Sequence, residues 1–283
     1  MAKISIQQIM LGTVTGSETA AATTLSRLVG AGFQEIELNN FQITPTPFLV
    51  RALTRAAGMP TGRGGKLDWA RLVREAGLGV TSLHIDLGSL KNDPSTVVAR
   101  CRELGCRYAV ITGMYRFDYS DAEAVRGLAA DLNDCGQKLA AEGVGLLYHN
   151  HNCELLQVEP GARAYDVLLD ACDERYVNFE LDTYWPSEAG ADALAMMRRL
   201  GSRMKLWHVA DRGTRPAGPS MTPILKSDSV ELGRGNIPLD ALCEQALAVG
   251  VDAVVLESHR NWVDKSPLAS AETSAEWLRA HVH

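Results

Sequence analysis

Gly145-Leu-Leu-Tyr-His149-Asn-His151 and, one helix-length later, Val177-Asn-Phe-Glu180-Leu-Asp182-Thr183 frame the stretch on which the fold turns. Each is a short apolar run with β-forming residues that ends in polar side chains. The residues between them, 162–171, carry a helical pattern. The same unit recurs downstream. A strand at 204–210 follows a helix at 191–200, and a strand at 253–258 follows a helix at 238–249, with Pro267–His281 as a closing helix. Upstream, strands are predicted at 9–14, 35–39, 80–86 and 108–112. The helices between them open near Ser17 and Asp93, with Pro94 in a first turn, and run over 47–57, 67–76 and 121–142. Gly30 and Gly32 close the first helix, and a Gly-rich loop at 61–65 separates the second from the third.

Eight strands alternating with helices over 283 residues, without a break in composition, predict one (β/α)8 barrel spanning residues 1–283. A doubly wound open sheet is the alternative. It would carry a Gly-rich phosphate loop after the first strand, and Leu11-Gly-Thr-Val-Thr-Gly16 matches one poorly. The barrel is the preferred reading.

Composition removes several functions. The net charge is -6, and no cluster of Lys and Arg offers the footprint that a phosphate backbone needs. With only 6% aromatic residues, a stacking platform for single strands is also disfavoured. No window approaches 18 consecutive apolar residues, so no membrane span is expected, and the start lacks the apolar run of a secretory signal. Six cysteines without a CxxC pair read as reduced thiols in a cytoplasmic protein.

A barrel places its chemistry at the C-terminal ends of its strands. The fifth strand ends in His149 and His151, with Glu154 just beyond, and the sixth in Glu180 and Asp182, followed by Trp185. The seventh ends in His208, Asp211 and Arg212, and the eighth in Glu257 and His259. Alternation puts His149 with His151 on one face, Glu180 with Asp182, and Glu257 with His259. Imidazoles and carboxylates from four neighbouring strands can converge as a shell for Mn2+, Zn2+, Co2+ or Fe2+. A lone histidine at a strand end is more often hydrogen-bonded structure. Burying Asp182 and Glu257 without a cation, however, would cost several kcal/mol each.

These segments resemble the xylose isomerase-like TIM-barrel superfamily of sugar phosphate isomerases and epimerases. The likeness is carried by Tyr148-His-Asn-His151 with Glu154, by Glu180-Leu-Asp182-Thr-Tyr-Trp185, by Trp207-His208-Val-Ala-Asp211 and by Leu256-Glu257-Ser258. It extends to Val230-Glu-Leu-Gly-Arg-Gly235-Asn-Ile-Pro238. It implies one divalent metal, Mn2+ first, held by His149, Asp182, His208 and Glu257. Many members have Glu where this chain has His149. The His-Asn-His pattern resembles the branch with inosose dehydratase-like and 3-keto-sugar-processing enzymes. The resemblance leaves His151 as a base, with Glu154 assisting it or binding a substrate hydroxyl, and counts Glu257 among the catalytic residues.

The expected reaction is proton abstraction beside a carbonyl of a keto-sugar or polyol, with the enediolate held by the metal. The outcome is epimerisation, isomerisation or β-elimination. Substrate contacts are expected from His84, Glu37, Trp185 and Arg212, and Tyr115 and Arg116 are placed near the mouth. Each has a bland alternative: a satisfied backbone for His84 and Glu37, packing for Trp185, a salt bridge for Arg212. Asp211 orients His208 only if the backbone bends, because alternation points it away. The loop 212–236 covers the site or reaches a neighbouring subunit. A homo-oligomer is a family-level expectation. A non-catalytic sugar-binding barrel, a metal-dependent DNA-repair endonuclease and a dehydrogenase remain as competing functions. The second lacks a basic groove and the third a dinucleotide fingerprint.

Overall fold

The computed structural model describes residues 1–45, 65–215 and 218–283. Eight parallel strands close into a barrel in chain order. They are β1 (Lys3–Gln7), β2 (Glu35–Asn39), β3 (Gly79–Ile85), β4 (Tyr108–Thr112), β5 (Gly145–His149), β6 (Val177–Asp182), β7 (Met204–Val209) and β8 (Ala253–Leu256). Around them lie α1 (Glu18–Ala31), α2 (Trp69–Ala76), α3 (Pro94–Leu104), α4 (Ala122–Ala141), α5 (Ala164–Ala171), α6 (Ala193–Leu200), α7 (Leu239–Val249) and α8 (Pro267–His281). The expected barrel is therefore present.

Local chemistry explains the helix ends. Ser17 caps α1 by accepting a hydrogen bond from the Ala20 amide, and Gly32 ends it in a left-handed conformation at φ 106°. Asp93 caps α3, with Pro94 in its first turn, where the missing amide proton costs nothing.

The first strand is a correction. The strand expected at 9–14 is instead a single 3-10 turn, Gln8–Leu11, and β1 lies earlier at Lys3–Gln7. Ile9, Met10 and Leu11 are buried, but as a turn fastened by the Gln7 side chain, which accepts from the Ile9 amide at 2.9 Å. A short apolar run signals burial without distinguishing strand from turn. The alternating Lys-Ile-Ser-Ile-Gln before it is the true strand. Residues 162 and 163 likewise pair with Gln157–Glu159 in a small hairpin before α5 begins. The helix expected at 47–57 and most of the loop at 61–65 lie outside the described residues.

The core has two parts. Most buried apolar side chains sit between the strands and the surrounding helices. A second group, Val110, Leu147, Leu206, Ala253 and Val255, plugs the barrel itself. Alternation then fixes what lies above the plug. Two residues on from Leu147, Leu206 and Val255 come His149, His208 and Glu257. The apolar plug thus gives way, at the C-terminal end of the strands, to a layer of imidazoles and carboxylates.

Candidate metal centre

The parallel register sets His149 beside Glu180 and Asp182 beside His208. Ligand atoms of His149, Asp182, His208 and Glu257 all lie within 4.8 Å of one another. The four residues that the resemblance implies therefore converge. A second set, His84, His149, Glu180 and His208, meets the same limit and shares two members with the first. His208 joins the two: Nδ1 lies 2.9 Å from Glu257 Oε2 in the first set and Nε2 lies 3.3 Å from Glu180 Oε2 in the second.

The donor set fits a borderline divalent cation. Two imidazoles and two carboxylates suit Mn2+, Zn2+, Co2+ or Fe2+ better than an all-oxygen Mg2+ or Ca2+ cage. Glu180 Oε1 is buried without a hydrogen-bond partner among the described residues, and nearby positive charge would compensate it. Burial raises the Asp182 carboxyl to about 6 despite His149 and His208. Glu257 is held well below the usual carboxylate range, because His259 and His208 outweigh its burial. His259 Nε2 lies 3.0 Å from Glu257 Oε1.

His151 lies just past the end of β5, not within it, yet its ring centroid is 5.1 Å from that of His149. Its backbone amide donates to Glu154 Oε2 at 3.0 Å. Among the described residues, no group hydrogen-bonds its ring nitrogens. Burial and the neighbouring His149 push its pKa down to about 3, so the ring is neutral near pH 7. Trp185 stands 5.8 Å away, centroid to centroid, and lines a cavity with Asp182, Glu257 and His259. Asp228 and Ser229, from the returning arm of the loop 212–236, line the same cavity. A larger cavity of about 570 Å³ is bordered by His84, Asp86, Thr112, Gly113 and Tyr115.

Three of the expected site residues are held by neighbouring side chains. Glu154 is fully buried, and its carboxylate accepts from Tyr148 Oη at 2.7 Å and from the His151 amide. It holds the turn that carries His151. Glu37 is also fully buried and accepts from Gln7 Nε2 at 3.0 Å and from Ser82 Oγ. Its Oε2 lies 2.6 Å from His208 Nε2, beside the quartet. Arg212 turns to Tyr184 Oη at 2.8 Å and to Glu188 at 3.6 Å, so its guanidinium is already engaged. Asp211 does not touch His208. It accepts the amides of Gly235 and Ile237 at 2.8 and 3.2 Å and so pins the turn at 230–238. A Cβ on Gly235 would meet Asp211 Oδ1 at 2.3 Å, which is why glycine stands there.

Glu180 and His259 are strand-end residues to which the sequence assigned no particular role, and the structure brings them to His149 and Glu257 at 3.0 Å each. The signal was present. Glu180 shares a face with Asp182 two positions on, and His259 shares one with Glu257.

The family model for the xylose isomerase-like TIM barrel matches residues 26–281. The chain belongs to that family. None of the curated proteins matches the sequence. Among solved structures, a sugar phosphate isomerase/epimerase from Parabacteroides distasonis superposes with a TM-score of 0.75 at 20% identity, covering 100% of this chain and 95% of that one. The Escherichia coli 3-keto-D-glucoside 4-epimerase gives 0.63 at 18%, covering 99% and 100%. The IolI protein, solved with a bound zinc atom, gives 0.67 at 15%, covering 98% and 96%. At these identities the likeness establishes the shared fold. No helix among the described residues is long and apolar enough to cross a membrane.

Proposed function

We propose that this family member is a divalent-metal-dependent enzyme that moves a proton at the carbon beside a carbonyl of a keto-sugar or polyol. The observation that carries the reading is His151: a neutral imidazole without a ring partner among the described residues, beside a quartet of metal-ligand type. His149, Asp182, His208 and Glu257 would hold the cation. When bound, it would polarise a substrate carbonyl and acidify the adjacent C–H.

The side chains supply the rest. His151 accepts the proton, and its depressed pKa keeps it in the accepting form at neutral pH. Glu154 holds the turn beneath it through the His151 amide. Trp185 offers an apolar wall to a sugar's C–H face, and His84 reaches the larger cavity from its seat at the end of β3. Return of the proton to the opposite face epimerises, return to the neighbouring carbon isomerises, and loss of a β-oxygen group eliminates. The His-Asn-His pattern favours epimerisation or elimination on a keto-sugar. Mn2+ is the first metal to supply.

The test is exchange of a substrate C–H for deuterium, followed by NMR in D2O across a panel of keto-sugars and keto-polyols with Mn2+, Zn2+, Co2+ or Fe2+ present. Exchange that requires metal and disappears in His151→Asn supports the reading. Tight ligand binding without exchange would make the barrel a binding protein.

A further inference from the structure

The two imidazoles of the quartet rest on a floor of carboxylates. His149 Nδ1 lies 3.0 Å from Glu180 Oε2. His208 Nε2 lies 2.6 Å from Glu37 Oε2 and 3.3 Å from Glu180 Oε2. His84 Nε2 sits 3.0 Å from both carboxylates and bridges them. Glu37 and Glu180 are both fully buried. Each imidazole therefore commits one nitrogen to the floor. His208 keeps Nδ1 on the side of Glu257, and His149 keeps Nε2, which has no hydrogen-bond partner among the described residues.

We propose that Glu180 is a positioning residue that fixes the tautomer of His149, and with Glu37 that of His208, so that each presents a lone pair to the metal. An ionised carboxylate only accepts hydrogen bonds. A ring nitrogen facing Glu180 must then carry the proton, and the opposite nitrogen is left as the ligand. The carboxylate also makes that ligand more basic. Glutamine would keep the volume of Glu180, but its amide can present either oxygen or NH2. It therefore sets neither tautomer.

This inference rests on the metal reading, and the experiment separates the two. Parent, Glu180→Gln and Asp182→Asn proteins are stripped of metal and titrated with Co2+, reading both affinity and the visible absorption band. Folding is checked by circular dichroism. The expected result is a folded Glu180→Gln that binds Co2+ about 10–100-fold more weakly, with a shifted band, while Asp182→Asn loses a direct ligand. Unchanged affinity and spectrum in Glu180→Gln overturn the inference and leave the metal reading intact. Loss of all Co2+ in Glu180→Gln, with Asp182→Asn still binding, would make Glu180 itself a ligand and also overturns it. A parent that takes up no Co2+ overturns both. If Glu180→Gln does not fold, Glu37→Gln decides through His208: weaker Co2+ binding supports the inference and unchanged binding overturns it.

Discussion

Asp182 and His208 face each other across the parallel register of β6 and β7, and the two strands deliver a carboxylate and an imidazole to the same level of the barrel. The next strand adds Glu257, whose Oε2 lies 2.9 Å from His208 Nδ1. Asn150 secures the level from the other side. Its amide nitrogen donates to the Asp182 carbonyl at 3.1 Å, and its oxygen accepts the Asp182 amide at 3.1 Å. Three of the four side chains are held by strand register, and Glu257 follows β8 directly with its amide donating to the Val209 carbonyl at 3.2 Å, so little reorganisation is needed to take up an ion.

From this arrangement, elemental analysis of the purified parent is expected to find about one transition metal per chain. Both His208→Ala and Asp182→Asn should lose it. Each variant leaves the barrel strands paired, so circular dichroism should be close to that of the parent. A His208→Ala protein that retains its full metal complement would place the ion elsewhere.

His151 has a distinct signature. Its exchange of substrate protons should fall by about 10²–10⁴-fold on replacement by Asn, the range set by losing a general base. The metal content should stay at the parental level, because His149 and not His151 belongs to the quartet. Since His151 is pushed to about 3, it remains in the accepting form above that pH. The exchange rate per metal-loaded molecule should therefore show no acid limb near the ordinary imidazole value of 6.5. A limb centred there, in protein shown to keep its metal, would contradict the assignment.

The floor beneath the quartet makes a prediction about stability and pH in the metal-free protein. Burial opposes charge on His84, but Glu37 and Glu180 outweigh it and raise the imidazole from 6.5 to about 10. A group whose pKa is raised on folding binds its proton more tightly in the folded state. Its contribution is complete below about 6.5 and is lost as pH rises through about 10. Denaturant midpoints measured at pH 6, 8 and 10 should therefore decline in the parent. The decline should be shallower in His84→Gln, which starts from lower stability because it leaves two buried carboxylates without their bridge. Parallel declines would mean that His84 is not the protonated link.

How much of this was legible depends on what kind of signal each residue leaves. The barrel was readable because seven of its strands are runs bounded by helical periods. The remaining one, β1 at Lys3–Gln7, hid its alternation behind the more apolar Ile9-Met-Leu11. Asp182, His208 and Glu257 were readable because they stand at strand ends. Glu154 and Glu37 also stand near strand ends, but their environment is set by packing that no local pattern encodes. Tyr148 Oη reaches Glu154 from the outward face of β5, and Ser82 and Gln7 reach Glu37 from the neighbouring strands. For Arg212 the salt-bridge alternative holds in the structure, with Glu188 at 3.6 Å and Tyr184 Oη at 2.8 Å, and no local pattern names those partners.

Gly113 offers a sharper test of the reacting geometry than any charged residue. It follows the last residue of β4, and a Cβ added there would lie 3.1 Å from His151 Nδ1, 3.2 Å from Glu154 Oε1 and 3.5 Å from Tyr119 Oη. The first two distances are tighter than ordinary van der Waals contact. Glu154 is buried and held by Tyr148, which in turn is hydrogen-bonded to Tyr119 at 2.8 Å, so that side has little room to give. The His151 ring, with no ring partner among the described residues, is the group that should move. Gly113→Ala is therefore expected to lower proton exchange by about tenfold, on the scale that sub-ångström misplacement costs. Metal content and Co2+ absorption should stay at the parental values, because the quartet is untouched. An alanine variant with parental exchange would show that His151 is not acting from the position seen here. One that loses metal would show that the turn after β4 supports the quartet as well.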